Sequence, residues 1–241
     1  MGQVKARTKF RILFAAGLFL TILLTSCEAV TGFFSTSWGS KFQRDLARLL
    51  PPISAQNALE LAEDTAGDPE KAKIVAKKIT EALLKTTDPG ERKALLKAGL
   101  VAANNASRLI TVMMGNIDTF SDPQVSLGTI LEKIQDAGDV PGNAALISGI
   151  LDAGGVDITN SDALAGISQD NLVLAAVTLL LADVQKDNIL DQEAYLEDFA
   201  EKQAQGGSGL TKKQDQALVL ASVASNQTGA LKEVLHILKF N

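Results

Sequence analysis

Apolar residues return every three or four positions along almost the whole of this chain, and sustained two-residue alternation of β-branched residues is absent. That period lines one face of a helix and cannot line one face of a strand, so it confines the fold to helix packed on helix. The helix starts are punctuated. Asp68-Pro69, Asp88-Pro89 and Asp122-Pro123 each set a capping carboxylate before a proline at the first helical position, where its missing N–H costs nothing. Glu91 follows Asp88 at capping-box distance, and Thr211 with Gln214 fits that pattern fully. Val75, Ile79, Ala82 and Leu83 form one apolar stripe, and Ile130, Leu131 and Ile134 another. The spacing predicts one long helix over about 89–114, closed by Gly115-Asn116. Where Gly138, Gly142, Gly149, Gly154, Gly155 and Gly166 recur, short helices joined by tight turns are expected. Residues 172–182 are apolar all round and predict a central, fully buried helix. Tyr195, Leu196 and Phe199 mark the next helix, and Gly206-Gly-Ser-Gly209 a flexible loop. Two helices follow, the last bearing Leu231, Val234, Leu235 and Leu238.

The first residues are different in kind. Lys5, Arg7, Lys9 and Arg11 stand without an acidic partner, and an apolar run over 12–24 follows them. A basic segment leading into an apolar stretch of this length is the layout of a cleaved signal peptide, and the run stops short of the ~20 residues a spanning helix needs. Leu24-Thr25-Ser26-Cys27 then ends the run with the only cysteine of the chain. These four residues resemble the lipobox of bacterial lipoproteins. The resemblance implies a diacylglyceryl group on the Cys27 thiol, cleavage just before Cys27, and acylation of the new amino group. Two or three acyl chains exceed the single chain whose hold is only marginal, so the anchor is expected to be stable. The implied location is the bacterial cell envelope, on the exported side of a membrane.

The expected organisation is a signal peptide over 1–26, a lipidated tether over 27–38, and one all-α domain over 39–241, either an irregular helical bundle or a short helical array. A first helix from about Gly39 would align Phe42, Leu46, Leu49 and Leu50 before Pro51-Pro52 stops it. Gly67-Asp-Pro-Glu-Lys-Ala72 resembles the turn and second-helix entry of a tetratricopeptide repeat. The match covers that turn alone, because the aromatics and terminal proline of the repeat do not fall into place and the next Asp-Pro breaks its period.

Removing the signal takes away four of the 23 basic residues and none of the 28 acidic ones, so the formal charge falls from −5 to −9. An acidic chain without a basic cluster is a poor ligand for nucleic acid or for an anionic lipid surface, which leaves the covalent lipid as the membrane attachment. Phe33, Phe34, Trp38 and Phe42 crowd beside the anchor. Phe33, Phe34 and Trp38 are candidates for contact with the membrane interface, which Trp favours. The favoured reading is that this group folds back to seal one end of the helical body, since Phe42 is in phase with Leu46 and Leu49.

Signs of catalysis are sparse. A nucleophile relay needs an imidazole, and the one histidine, His236, lies near the chain end between Leu235 and Ile237, where a packing role is expected. One histidine and a lipidated cysteine cannot assemble a zinc site of the usual ligands, and no metal or cofactor is expected. Asp183, Asp187, Asn188 and Asp191 cluster without the Asp-x-Asp-x-Asp-Gly core of a calcium loop, so a solvated turn with Asp191 as helix cap is expected. Glu60, Glu63 and Asp64 read as surface charge. Ala153-Gly-Gly155 and the loop after Gln205 lack the Lys-Ser/Thr pair of a phosphate cradle. The expected function is therefore non-enzymatic: a tethered helical domain binding a protein partner in the envelope. The alternatives are a carrier for a small hydrophobic ligand, which requires an apolar cavity, a carboxylate-dependent hydrolase, which requires acidic side chains converging in a cleft, and a purely structural spacer, which requires neither.

Overall fold

The computed structural model describes residues 50–120, 125, 127–135, 137–156, 161–186, 191–229 and 231–240. The expected signal peptide, Cys27, the aromatic group from Phe33 to Phe42, the first helix from Gly39 and the Asp122-Pro123 helix start lie outside these residues. Contacts divide the chain into a unit over Met1–Pro51 and a unit over Pro52–Asn241. Within the second unit the described residues contain helices and turns and no strand.

The helices are α1 (Ala58–Glu63), α2 (Pro69–Lys85), α3 (Pro89–Ala106), α4 (Leu109–Gly115), α5 (Ile117–Phe120), α6 (Leu127–Gln135), α7 (Val140–Gly154), α8 (Gln169–Lys186), α9 (Gln192–Ala204), α10 (Lys212–Ser225) and α11 (Lys232–Ile237), with a 3-10 turn over Ser161–Leu164 before α8. Their starts are chemically specified. Asp68 accepts from the Lys71 N–H and Asp88 from the Glu91 N–H, each ahead of its proline. Asp191 accepts from the Ala194 N–H, and Thr211 with Gln214 closes a complete capping box at α10.

The α2–α3 hairpin packs on α7, and α3 and α7 in turn pack on α8, which also carries α10 and α11. Every residue from Leu172 to Ala182 is buried, as the all-round apolar pattern predicts; Thr178, the one polar residue among them, donates its hydroxyl to the Leu174 carbonyl at 2.7 Å. Close approach is built from small residues. A Cβ on Gly99 would lie 2.9 Å from Ile150 Cγ2 and 3.3 Å from Ile79 Cγ2, so glycine lets α3 seat between α2 and α7. Arg92 ties the same three helices at their ends, donating to Leu83 O (3.3 Å) and Thr86 O (2.9 Å) below α2 and to Ala153 O (2.8 Å) at the end of α7.

Two expectations need correction. The long helix over 89–114 is broken: α3 ends at Ala106, Ser107 is extended (φ −94°, ψ 140°), and α4 begins at Leu109. The Ser107 hydroxyl accepts the Leu109 N–H at 3.0 Å, a local bond that competes with the helical ladder. Apolar periodicity runs through this break and conceals it. The glycine-rich middle, conversely, holds one 15-residue helix, α7. Gly138, Gly155 and Gly166 have positive φ and form turns, but Gly142, Gly149 and Gly154 sit inside α7. The missed start signal is Asp139, which accepts from the Gly142 N–H at 2.8 Å, with Pro141 in the first turn.

Candidate functional site

The largest of the described grooves lies where the end of α7 meets the start of α10. It encloses about 640 Å³ between Asp152, Gly155 and Val156 on one wall and Lys212, Asp215, Gln216 and Val219 on the other. The α10 residues stand at helical spacing, so one stripe of that helix faces the groove. On the α7 side Gly155 turns the chain at φ +67°, a left-handed conformation suited to glycine. Its N–H bonds Asp152 O at 3.0 Å, and the Val156 N–H bonds Leu151 O at 2.9 Å. With Ala153 O held by Arg92, the last carbonyls of α7 are largely occupied.

The polar groups of the two walls are partly matched. Asp152 receives Lys212 Nζ on Oδ2 (2.6 Å) and Gln216 Nε2 on Oδ1 (2.9 Å). The ion pair is exposed on both sides and contributes little stability. The amide bond orients Gln216: its Nε2 is spent on Asp152, and its Oε1 is buried without a hydrogen-bond partner while the residue is 7 % exposed. An unmatched buried acceptor of this kind costs on the order of 1–3 kcal/mol. Asp215, one position before it, is exposed and forms no ion pair among the described residues. Val156 and Val219 supply the apolar part of the surface.

The sequence-predicted candidates fall elsewhere. His236 is exposed on α11 beside an apolar depression of about 160 Å³ that it shares with Leu218, Ala221, Ser222, Ser225, Leu235 and Phe240. The two serine hydroxyls there donate to Val219 O and Ser222 O on their own helix, and no carboxylate lines the depression. Asp183 is drawn to Lys213 at 2.9 Å and Asp191 caps α9, so these two serve different helices; Asp187 and Asn188 lie outside the described residues. Glu60, Glu63 and Asp64 are exposed at α1, where Asp64 O accepts from Lys71 Nζ. Among the described residues no group of three or more His, Cys, Asp or Glu could hold a metal ion, and no helix is long and apolar enough to cross a membrane. The lipobox residues Leu24, Thr25, Ser26 and Cys27 and the aromatics Phe33, Phe34 and Trp38 lie outside the described residues.

Sequence reasoning missed the α7–α10 groove because Asp152 and its partners Lys212 and Gln216 are about sixty residues apart with no motif joining them. Only the Thr211–Gln214 cap was legible in this helix, and nothing in that pattern names the opposite wall. Protein-family models, curated proteins and solved structures offer no match to this chain.

Proposed function

We propose that the chain is the precursor of a bacterial envelope lipoprotein, held to a membrane by diacylglycerol and palmitate-type acyl chains on Cys27, whose helical unit binds a protein partner without catalysing a reaction. The observation that carries this reading is the position of the sole cysteine, directly after the basic and apolar segments of a signal peptide and within Leu24-Thr25-Ser26-Cys27. The tether concentrates the domain beside membrane-bound partners, so modest contact chemistry suffices for binding.

Metabolic labelling with an alkynyl palmitate tests the anchor. Wild-type protein should take the label, begin at Cys27 after processing and stay in membranes through a high-salt wash, whereas Cys27→Ala should be unlabelled and released. Unlabelled wild-type protein, or a mature terminus elsewhere, would defeat the lipoprotein reading. Crosslinking in cells tests the binding role: one envelope protein enriched by the lipidated form over Cys27→Ala supports it, and specific capture of nothing overturns it.

A further inference from the structure

We infer that the outer face of α2 lies on the anionic phospholipid surface of the membrane, with Lys77, Lys78 and Lys85 among the headgroups and Leu84 entering the interface beside them. The inference rests on the lipoprotein reading above, which brings the domain to a membrane, and adds the side of the domain that meets it.

Charge on this protein is sorted by element. Helix α2 carries five lysines, Lys71, Lys73, Lys77, Lys78 and Lys85, against Glu70 and Glu81. Residues 109–241 carry 18 acidic side chains against 7 basic ones, and α9 shows the contrast, with Glu193, Glu197, Asp198 and Glu201 against Lys202. Part of the α2 charge is spent inside the protein: Lys73 pairs with Glu70 at 3.1 Å, and Lys71 donates to Asp64 O at 3.2 Å. Toward the end of the helix Lys77 and Lys85 are exposed and form no ion pair among the described residues. Lys78 is half-buried next to them, and Glu81 is the one acidic side chain over 77–85.

The net charge of the chain opposes an anionic surface, but the distribution of charge reverses that locally. At physiological ionic strength a charge is screened over about 8 Å, so the groups on the near face set the sign of the interaction and the acidic remainder turns to the far side. Leu84 separates a membrane from a soluble acidic partner. It is 71 % exposed, the one strongly exposed large apolar side chain among the described residues, and it stands beside Lys85 and two helical turns beyond Lys77. An apolar side chain among lysines on one helix face is the arrangement that seats a surface at the boundary of headgroups and acyl chains. The lysine stems reach the headgroups while the leucine goes deeper. The opposite face of α2, with Ala72, Val75, Ala76, Ile79 and Leu83, is buried, so the helix is fixed with this side outward.

The test uses the full-length acylated protein with a nitroxide on Leu84→Cys, or on Glu193→Cys as control, since acylation blocks the Cys27 thiol. Vesicles are phosphatidylcholine alone or phosphatidylcholine with an equal part of phosphatidylglycerol. The readout is collision of the label with oxygen, which concentrates in lipid, against a nickel chelate, which stays in water. On the anionic vesicles the label replacing Leu84 should gain oxygen contact and lose nickel contact, and on the neutral ones it should stay in water. The label replacing Glu193 should stay in water on both. Salt at roughly 1 M, which shortens screening to about 3 Å, should free the first label while the protein remains on the vesicles. Lys77→Gln together with Lys85→Gln should weaken the seating by about fivefold for each charge removed, with unchanged circular dichroism. Equal accessibility on the two kinds of vesicle, or indifference to the double substitution, overturns the inference. Immobilisation of the label without vesicles, rising with protein concentration, overturns it in favour of a second copy of the chain. Protein that floats with both kinds of vesicle while the label replacing Leu84 stays in water removes this face and spares the anchor. A nitroxide on Cys27, or protein that does not float with the neutral vesicles, defeats the lipoprotein reading and this inference with it.

Discussion

Two helix-interior glycines of this protein have opposite physical meanings. Gly99 faces Ile150 and Ile79, whose β-branched side chains are stiff at χ1 and cannot easily move aside, so an added side chain drives α3 away from α7 and α2. Gly99→Val should lower stability by about 1–3 kcal/mol through overpacking. Gly149, also within α7, would place a Cβ in open space, and there glycine only adds freedom to the unfolded chain. Gly149→Ala should raise stability by about 0.5–1 kcal/mol. Urea unfolding followed by helical circular dichroism measures both, and an equal response of the two positions would show that the α3–α7 approach is not as close as described. Other side chains act as joints. Tyr195 donates its hydroxyl to Leu180 O at 3.0 Å and accepts from Gln214 Nε2 at 3.2 Å, so Tyr195 ties α9 to α8 and the residue that completes the α10 capping box ties α10 to α9.

At the scale of the element, the ends of the helices are set by short polar contacts and their faces by burial. Asp139 illustrates the first: its carboxylate holds the Gly142 N–H at the start of α7, and Gly142 stands where a Cβ would collide with that same carboxylate. Asp139→Ala should cost about 1 kcal/mol, whereas Asp139→Asn, which keeps an accepting oxygen, should cost little. The comparison is read from denaturation midpoints, and equal losses for the two variants would mean that the cap is not the source of the effect. The faces follow their neighbours. Helix α2 has one buried stripe, with Ala72, Val75, Ala76, Ile79 and Leu83 inside, because it packs at the margin of the unit. Helix α8 is buried all round over 172–182 because α3, α7, α10 and α11 lie against it. Phe199 of α9 and Phe240, which follows α11, meet edge to face with centroids 5.4 Å apart, a pair that joins α9 to the segment after the last helix.

For the whole molecule, the core is made of leucine, isoleucine, valine and alanine, and such side chains suit close packing of helices. Among the described residues Leu84 is the one large apolar side chain that is strongly exposed, at 71 %, so the described surfaces offer polar groups with small apolar borders. The groove at α7 and α10 has that character. The division of contacts at Pro51–Pro52 carries its own expectation: limited proteolysis should leave a resistant fragment that begins near Pro52 and contains the helices from α1 onward. Mass spectrometry of the fragment checks this, and first cuts spread through 52–241 would contradict a single cooperative unit.

The all-α class was legible because three-to-four-residue periodicity is a property of the chain alone, and the caps at Asp68, Asp88, Asp191 and Thr211 were legible because a cap is satisfied within four residues. The burial of residues 172–182 could be read for the same reason, since an apolar surface on every side leaves no face for water. The break at Ser107 and the single helix α7 were not legible. In the first case one hydroxyl overrides a continuous apolar pattern; in the second, glycines that usually mark turns are held helical by Asp139 at one end and by close contact with α3 along the shaft. The groove was the least visible feature, because its walls are separated by about sixty residues and meet only when α7 and α10 are placed side by side. Sequence alone determined what each segment could satisfy locally, its helical periodicity and its caps; the tertiary structure alone decided which acceptors were left unmatched, since an unpaired oxygen such as Gln216 Oε1 is defined only by the neighbours that fail to reach it.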